Sequence, residues 1–129
     1  YAYANATVPK VAVIVGQAFG SAYLTMCSKA IGADIVYAWP NAAIGMMDAK
    51  EAVKIMYASE IAKADNATAM ISEKAAEYAQ LQSSALAAAK RGYVDDIIEA
   101  RDTRKRVIAA FEMLFTKREE RPAKKHGTV

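Results

Sequence analysis

Read as a pattern of apolar and polar positions, the chain divides into a strand-rich first third and a helical remainder. Val11-Ala12-Val13-Ile14-Val15 is an unbroken apolar run rich in β-branched residues. It lacks the alternation of a half-buried strand, so it predicts a strand covered on both faces inside a sheet. Gly16-Gln17-Ala18-Phe19-Gly20-Ser21 follows, with two glycines marking a turn, and a helical pattern is expected from Ala22 to Ile31, stopped at Gly32. Ala33 to Trp39 is β-rich and ends at Pro40, which predicts a second strand, a strand-helix-strand crossover and hence a parallel sheet. A short extended piece is expected over Ala42 to Met47.

Beyond that point the period changes. Asp48 with Glu51 three residues on has the form of a capping box, which starts a helix at Ala49 with Val53, Ile55, Met56 and Ile61 on its apolar side. A second helix is expected from about Thr68 to Leu81, and a third short one through Leu86 to a stop at Gly92. Tyr93 to Ile98 reads as extended or turn. A last helix from Asp102 or Thr103 is expected to bury Val107, Ile108, Phe111, Leu114 and Phe115. The six methionines are expected to fill the core. Tyr1 to Thr7 reads as the end of a helix, so the chain is expected to be part of something larger. Two strands are too little sheet for a whole α/β domain, and exposed edges and helix faces are expected to await other segments.

Composition narrows the function classes. The chain has 129 residues, 54% of them apolar, and a formal net charge of +3. Residues 101–129 hold nine Lys/Arg against four Asp/Glu, a basic end with no interleaved aromatics, which argues against nucleic-acid binding. No stretch reaches the ~20 apolar residues of a membrane span, and no direct membrane insertion is expected. The single cysteine, Cys27, fits a reducing compartment and reads as a small buried residue. A cytoplasmic location follows, and no metal cluster is visible. Adjacent Asp95 and Asp96 point different ways and are expected to be structural.

The candidate chemistry lies in the first turn. A tight turn into a helix leaves N–H groups without partners at the positive end of the helix dipole. The amides of Gly20, Ser21 and Ala22 are therefore candidates to hold a phosphate or a developing oxyanion, although the same connection also serves as a plain structural turn. Side-chain motifs fail on residues. No Lys follows Gly20 as in a phosphate loop, no third glycine completes GxGxxG, and Phe19 and Tyr23 stand where a nucleophile elbow around Ser21 needs glycines. The only histidine, His126, lies in the basic tail.

A set of short elements in fixed order carries a resemblance. They are Val8-Pro9-Lys10, Ala18-Phe19-Gly20-Ser21-Ala22-Tyr23, Ser28-Lys29, Gly32-Ala33-Asp34, Tyr37-Ala38-Trp39-Pro40 and Ala49-Lys50-Glu51-Ala52-Val53. After them come Arg91-Gly92-Tyr93-Val94-Asp95-Asp96-Ile97-Ile98, Thr103-Arg104, Arg121-Pro122 and Lys125-His126-Gly127. Together they resemble the C-terminal end of biotin-dependent acyl-CoA carboxyltransferases, the β subunits of propionyl-CoA and acetyl-CoA carboxylases and the α subunit of methylmalonyl-CoA decarboxylases.

The resemblance implies an α/β, crotonase-like fold of repeated ββα units, with residues 1–129 as the last part of a second carboxyltransferase domain. Within it lie a strand-turn-helix core at 8–47, a helical region at 48–92 and a final helix with a basic tail at 93–129. It implies carboxyl transfer between carboxybiotin and the α-carbon of a short acyl-CoA. The backbone of Gly20, Ser21 and Ala22 would be the oxyanion site, with Phe19 and Tyr23 near biotin or the acyl-CoA. Implied partners are a biotin carboxyl carrier protein and biotin carboxylase or decarboxylase subunits, the latter at the inner membrane face, within a homo-oligomer built as a hexamer, a trimer of dimers. Departures from the family's usual residues fall at Gly16-Gln17, Ser21 and Ala43. The alternatives are another crotonase-type hydratase or isomerase, which usually needs a glutamate that residues 1–50 lack, a related serine peptidase, which needs a histidine, and an inactive assembly domain.

Overall fold

The computed structural model describes residues 1–121; Pro122 to Val129, with His126 and the end of the basic tail, lie outside the described residues. In chain order the elements are α1 (Ala2–Asn5), β1 (Val11–Ile14), β2 (Gln17–Phe19), α2 (Gly20–Thr25), β3 (Ile35–Ala38) and β4 (Ala43–Gly45). They continue as α3 (Ala49–Met56), α4 (Ala58–Ile61), α5 (Ala67–Tyr78), α6 (Ala85–Lys90), β5 (Asp96–Ile97) and α7 (Thr103–Met113). A π-helical turn, Ala79–Ser83, joins α5 to α6.

Two small parallel sheets form the frame. In the first, β1 pairs with β3, from Val11 opposite Ile35 to Ile14 opposite Ala38. β5 lies on the other side of β3, with Tyr37 opposite Asp96 and Ala38 opposite Ile97. In the second, β2 pairs with β4, from Gln17 opposite Ala43 to Phe19 opposite Gly45. Both sheets are fed by the crossover that the sequence predicts. The described residues hold five strands where the sequence predicts two strands and two further pieces, over Ala42 to Met47 and, as extended or turn, over Tyr93 to Ile98; β4 and β5 fall within those pieces, and β2 is too short to show in periodicity.

Strand β3, and not β1, is the central one. Val36 and Ala38 have no exposed surface and face the cluster made with Ala85 and Ala88 of α6. Tyr37 points to the other face, against Ile98 and Ala110 of α7. β1 stands at the edge of its sheet and is half-buried at all four positions. Its apolar run therefore marks a strand that the described residues cover only in part.

Charged and polar side chains staple the elements around β3. Asp95 accepts from the Val36 amide at 2.8 Å and forms an ion pair with Lys29 at 2.7 Å, while its own amide donates to the Val36 carbonyl. The Trp39 indole N–H donates to the Thr103 hydroxyl at 2.9 Å, which seats the start of α7. Asp34, at the mouth of β3, accepts from the Lys10 amide at 2.7 Å and pairs with Lys117 at 2.8 Å. Asp96 lies 3.6 Å from Arg106. The two adjacent aspartates are thus structural, as their adjacency in sequence suggests.

Four expectations are corrected. The helix expected to reach Ile31 ends at Thr25, because Cys27 takes φ +63° and the chain resumes only as a 3-10 turn over Lys29–Ile31. Helix α7 seats Ala110 and half-buries Val107, whereas Ile108, Phe111 and Phe115 are exposed. Met26, Met46, Met47, Met56 and Met113 are exposed as well, so they do not fill this core. On α3, Asp48 caps through the Lys50 amide and Val53 is fully buried, but Ile55 and Met56 face outward. Each apolar face left uncovered agrees with the expectation that other segments are needed.

Two outcomes are expected. Asp95→Ala leaves the buried Val36 amide without its acceptor and lowers unfolding free energy by about 1–3 kcal/mol in urea titration. At Asp34, burial pushes the carboxyl up, but hydrogen bonds from Lys117 and the Lys10 amide, with both cations' charges, outweigh it and hold the group below its usual range. A folded-state value below the unfolded one means that its stabilisation is complete above about pH 4 and is lost as pH falls through the lowered value. Urea midpoints followed downward from neutral pH should fall more steeply in that acid window for the wild type than for Asp34→Asn.

Candidate active-site turn

The turn is built where β2 hands over to α2. Phe19 is the last residue of β2 and the residue before the helix, with extended angles of φ −122° and ψ 147°. Gly20 then takes φ +63°, a left-handed conformation that costs an L side chain roughly 1–2 kcal/mol. Space is limiting too, since a Cβ on Gly20 would stand 3.2 Å from the Met46 carbonyl oxygen. That carbonyl is brought there by the β2–β4 ladder, which sets Phe19 opposite Gly45. The register of two three-residue strands therefore dictates the shape of the turn.

Ser21 and Ala22 occupy the first turn of α2 and are both exposed. Their amides belong to the first four N–H groups of the helix, which have no acceptor within it. No side chain caps that end. The turn thus presents exposed N–H groups at the positive end of a short helix.

An open groove of about 980 Å³ runs beside it, mostly apolar. Its lining includes β1, Phe19, Ala22 and Tyr23 of the turn, and Tyr3 and Phe111. Of the five candidate residues, Phe19, Ala22 and Tyr23 line the groove, whereas Gly20 and Ser21 are not part of its lining. Phe19 is half-buried and packs toward Gly45, where an added Cβ would lie 3.7 Å from its Cδ1. Tyr23 turns into the core, and its hydroxyl is buried with no hydrogen-bond partner among the described residues. Burial pushes the phenol pKa up, and nearby Tyr93 adds to the shift.

Sequence reasoning finds the glycine turn but misses the Met46 carbonyl, which defines why Gly20 must be glycine. No local signal could reveal it, because the approach depends on strand pairing. It also misses that Met26 and Met46 stand exposed near the turn.

Two small parallel sheets with helices packed on them make this a mixed α/β fold, and the solved structures it superposes on, given below, are crotonase-like carboxyltransferase folds. Residues 1–129 match the carboxyl transferase domain family over their whole length, and the chain belongs to that family. It is 49% identical over 127 residues to the methylmalonyl-CoA carboxyltransferase 12S subunit of Propionibacterium freudenreichii subsp. shermanii, covering 98% of this chain and 24% of the relative. It is 50% identical to a putative propionyl-CoA carboxylase beta chain of Bacillus subtilis and 47% to the methylmalonyl-CoA decarboxylase subunit alpha of Propionigenium modestum. In both cases the match covers 100% of this chain and 25% of the relative.

A crystal structure of a transcarboxylase 12S hexamer, with methylmalonyl-CoA and methylmalonic acid bound, superposes with a TM-score of 0.92 at 48% identity, over 99% of this chain and 25% of that one. The beta subunit of P. aeruginosa geranyl-CoA carboxylase gives a TM-score of 0.71 at 28% identity, over 98% of this chain and 24% of that one. The chain spans about a quarter of the length of these relatives.

Gly20→Ala is expected to cost about 1–2 kcal/mol from backbone strain and to displace the turn away from Met46. Urea unfolding and chemical shifts of the Ser21 and Ala22 amides check both effects. Gly16→Ala, whose Cβ would meet nothing within 4 Å and whose backbone is not left-handed, is the control and should change little.

Proposed function

We propose that this chain is the C-terminal part of the second carboxyltransferase domain of a biotin-dependent acyl-CoA carboxylase or decarboxylase. Three regions serve it: the strand-turn-helix core at 8–47, the helical region at 48–92 and the final helix and tail at 93–129. The observation that carries the reading is the uncapped first turn of α2 at an apolar groove, within a chain that belongs to this family from end to end.

In this reading the Ser21 and Ala22 amides donate hydrogen bonds to an oxygen that gains negative charge during the reaction, either the ureido oxygen of biotin or the enolate oxygen of the thioester. Gly20 supplies the left-handed step that aims them. Main-chain dipoles already held in place need no reorganisation when the charge develops, which is the source of their effect. Phe19 and Tyr23 shape the groove wall beside the turn. The residues present fit biotin and a CoA thioester, since uncapped donors stand next to an apolar surface. Carboxybiotin, when bound, supplies the carboxyl group that moves. No side-chain base is assigned to this chain.

The substrate is a short acyl-CoA of the propionyl, acetyl or methylmalonyl type, and the partners are a biotin carrier protein with a biotin carboxylase or decarboxylase subunit. A homo-oligomeric assembly is part of the same proposal, because the similar transcarboxylase 12S is a hexamer. A cytoplasmic location accompanies it. Among the described residues, no helix is long and apolar enough to cross a membrane.

The test is carboxyl transfer by the full-length parent across a panel of acyl-CoAs, wild type against Ser21→Pro. Proline is tolerated in the first turn of a helix and deletes one candidate amide. Turnover is expected to fall by about 10²–10³-fold with folding intact. Unchanged turnover means that the turn is scaffolding. The 129-residue chain alone is expected to show no transfer, and measurable transfer by it would overturn the division of the site between this chain and the rest of the parent.

A further inference from the structure

The last rung of the β2–β4 ladder pairs Phe19 with Gly45. One residue further along each strand stand the two groups that shape the turn, Gly20 on one side and the Met46 carbonyl on the other. A methyl built on Gly45 would lie 3.7 Å from the Phe19 ring and 3.5 Å from the Ser83 hydroxyl oxygen, so ring and hydroxyl flank a glycine that leaves room for both. Ser83 is 3% exposed and reaches this rung from a distant part of the chain.

The π-helical turn is what brings it there. Along α5 the inward side runs through Ile71, Ala75 and Tyr78, at steps of three and four residues. A continued α-helix would carry Gln82 inward next. The turn over Ala79–Ser83 instead closes to the fifth residue, so the inward place falls on Ser83 and Gln82 stays exposed. On that outer side Arg91 donates to the Gln82 carbonyl at 3.1 Å and to its side-chain oxygen. Ser84 follows in extended conformation and bridges Ala43 of β4 in antiparallel fashion. Its hydroxyl then accepts from the Ala87 amide at 3.1 Å and starts α6, whose Ala85 and Ala88 lie in the core. β4 is thus held between β2 and the end of the π-helical turn.

We propose that Ser83 is a positioning residue for the turn. By filling the space over Gly45 beside Phe19, it fixes the last rung and with it the separation of Gly20 from the Met46 carbonyl. The aim of the Ser21 and Ala22 amides depends on that separation, and the inference rests on the oxyanion role proposed for them. A ladder of three residues on each strand has few hydrogen bonds to resist a push, and a close-packed interior passes strain on to its neighbours. Serine places one γ atom over Gly45, whereas a β-branched apolar residue brings a second that overfills the space. The helical region at 48–92 therefore takes part in the chemistry through the inward end of one π-helical turn.

The experiment measures kcat and KM separately for carboxyl transfer by the full-length protein that carries this chain, with urea unfolding to show that each variant is folded. Ser83→Val is expected to lower kcat by ~10–100-fold with KM within ~2-fold, because misaimed donors lose their hold on charge that develops only in the transition state. Ser83→Ala, which keeps the position small, is expected to stay within ~3-fold of wild type. Ser83→Thr adds one methyl and gives a reading if Ser83→Val fails to fold, with kcat expected to fall by ~3–10-fold. Ser21→Pro is assayed beside them. Wild-type kcat in the folded Val and Thr variants, with turnover lost in Ser21→Pro, overturns the role of Ser83 and leaves the oxyanion reading standing. Turnover unchanged in Ser21→Pro removes that reading and this inference with it. A raised KM at wild-type kcat also overturns the proposal, since Ser83 would then act on substrate binding and not on the aim of the donors.

Discussion

The constraint on which the structure depends is the need to pair every main-chain group of a strand buried on both faces. β3 has helices packed over each side, so an unpaired N–H or C=O there carries the full cost of desolvation. β1 meets part of the demand through the Ile14 carbonyl, which accepts from Trp39, and the Lys10 carbonyl, which accepts from Asp34 and Ile35. β5 is only two residues long, and the Asp95 carboxylate extends it by taking the Val36 amide as a further strand residue would. With β3 seated, β4 follows from its end, and its register against β2 sets Gly20 beside Met46. The turn is the last link of that chain of dependence.

Much of the frame is legible in the sequence. The apolar run at Val11, the cap at Asp48 and the helix start at Thr103 are all decided by local chemistry, and local chemistry is what a sequence displays. β2 is not legible, because Gln17-Ala18-Phe19 becomes a strand only through its pairing with residues that lie after the next strand. The end of α2 is hidden for the same reason. A left-handed Cys27 is imposed by the need to turn the chain into the core, against its own preference. For the site, the glycine step and the exposed amides are readable from Gly20-Ser21-Ala22, whereas the Met46 carbonyl and the buried Tyr23 hydroxyl belong to tertiary packing.

The short elements that carry the family resemblance divide in an instructive way once placed. Lys29 with Asp95, Trp39 with Thr103, and Asp34 with Lys117 are all staples between elements distant in the chain. They identify the fold and say nothing of the acyl group. The Ala18 to Tyr23 stretch is the one that supplies the turn and part of the groove lining beside it. The exposed methionines, Ile55, Ile108, Phe111 and Phe115 form faces that this chain does not cover. They fit a chain that spans a quarter of its relatives, where the remainder has surfaces to supply.

A turn proposed to act through main-chain amides is encoded in conformation and not in the identity of its side chains. Gly20 is the one position that the geometry restricts severely, since it alone combines a left-handed backbone with a carbonyl at 3.2 Å from any added carbon. Positions 21 and 22 point outward and are free of that restriction. On the proposed reading, the side chains at these two positions can change while the donors stay in place, so that the choice of ligand and the holding of a negative oxygen rest on different features of one turn.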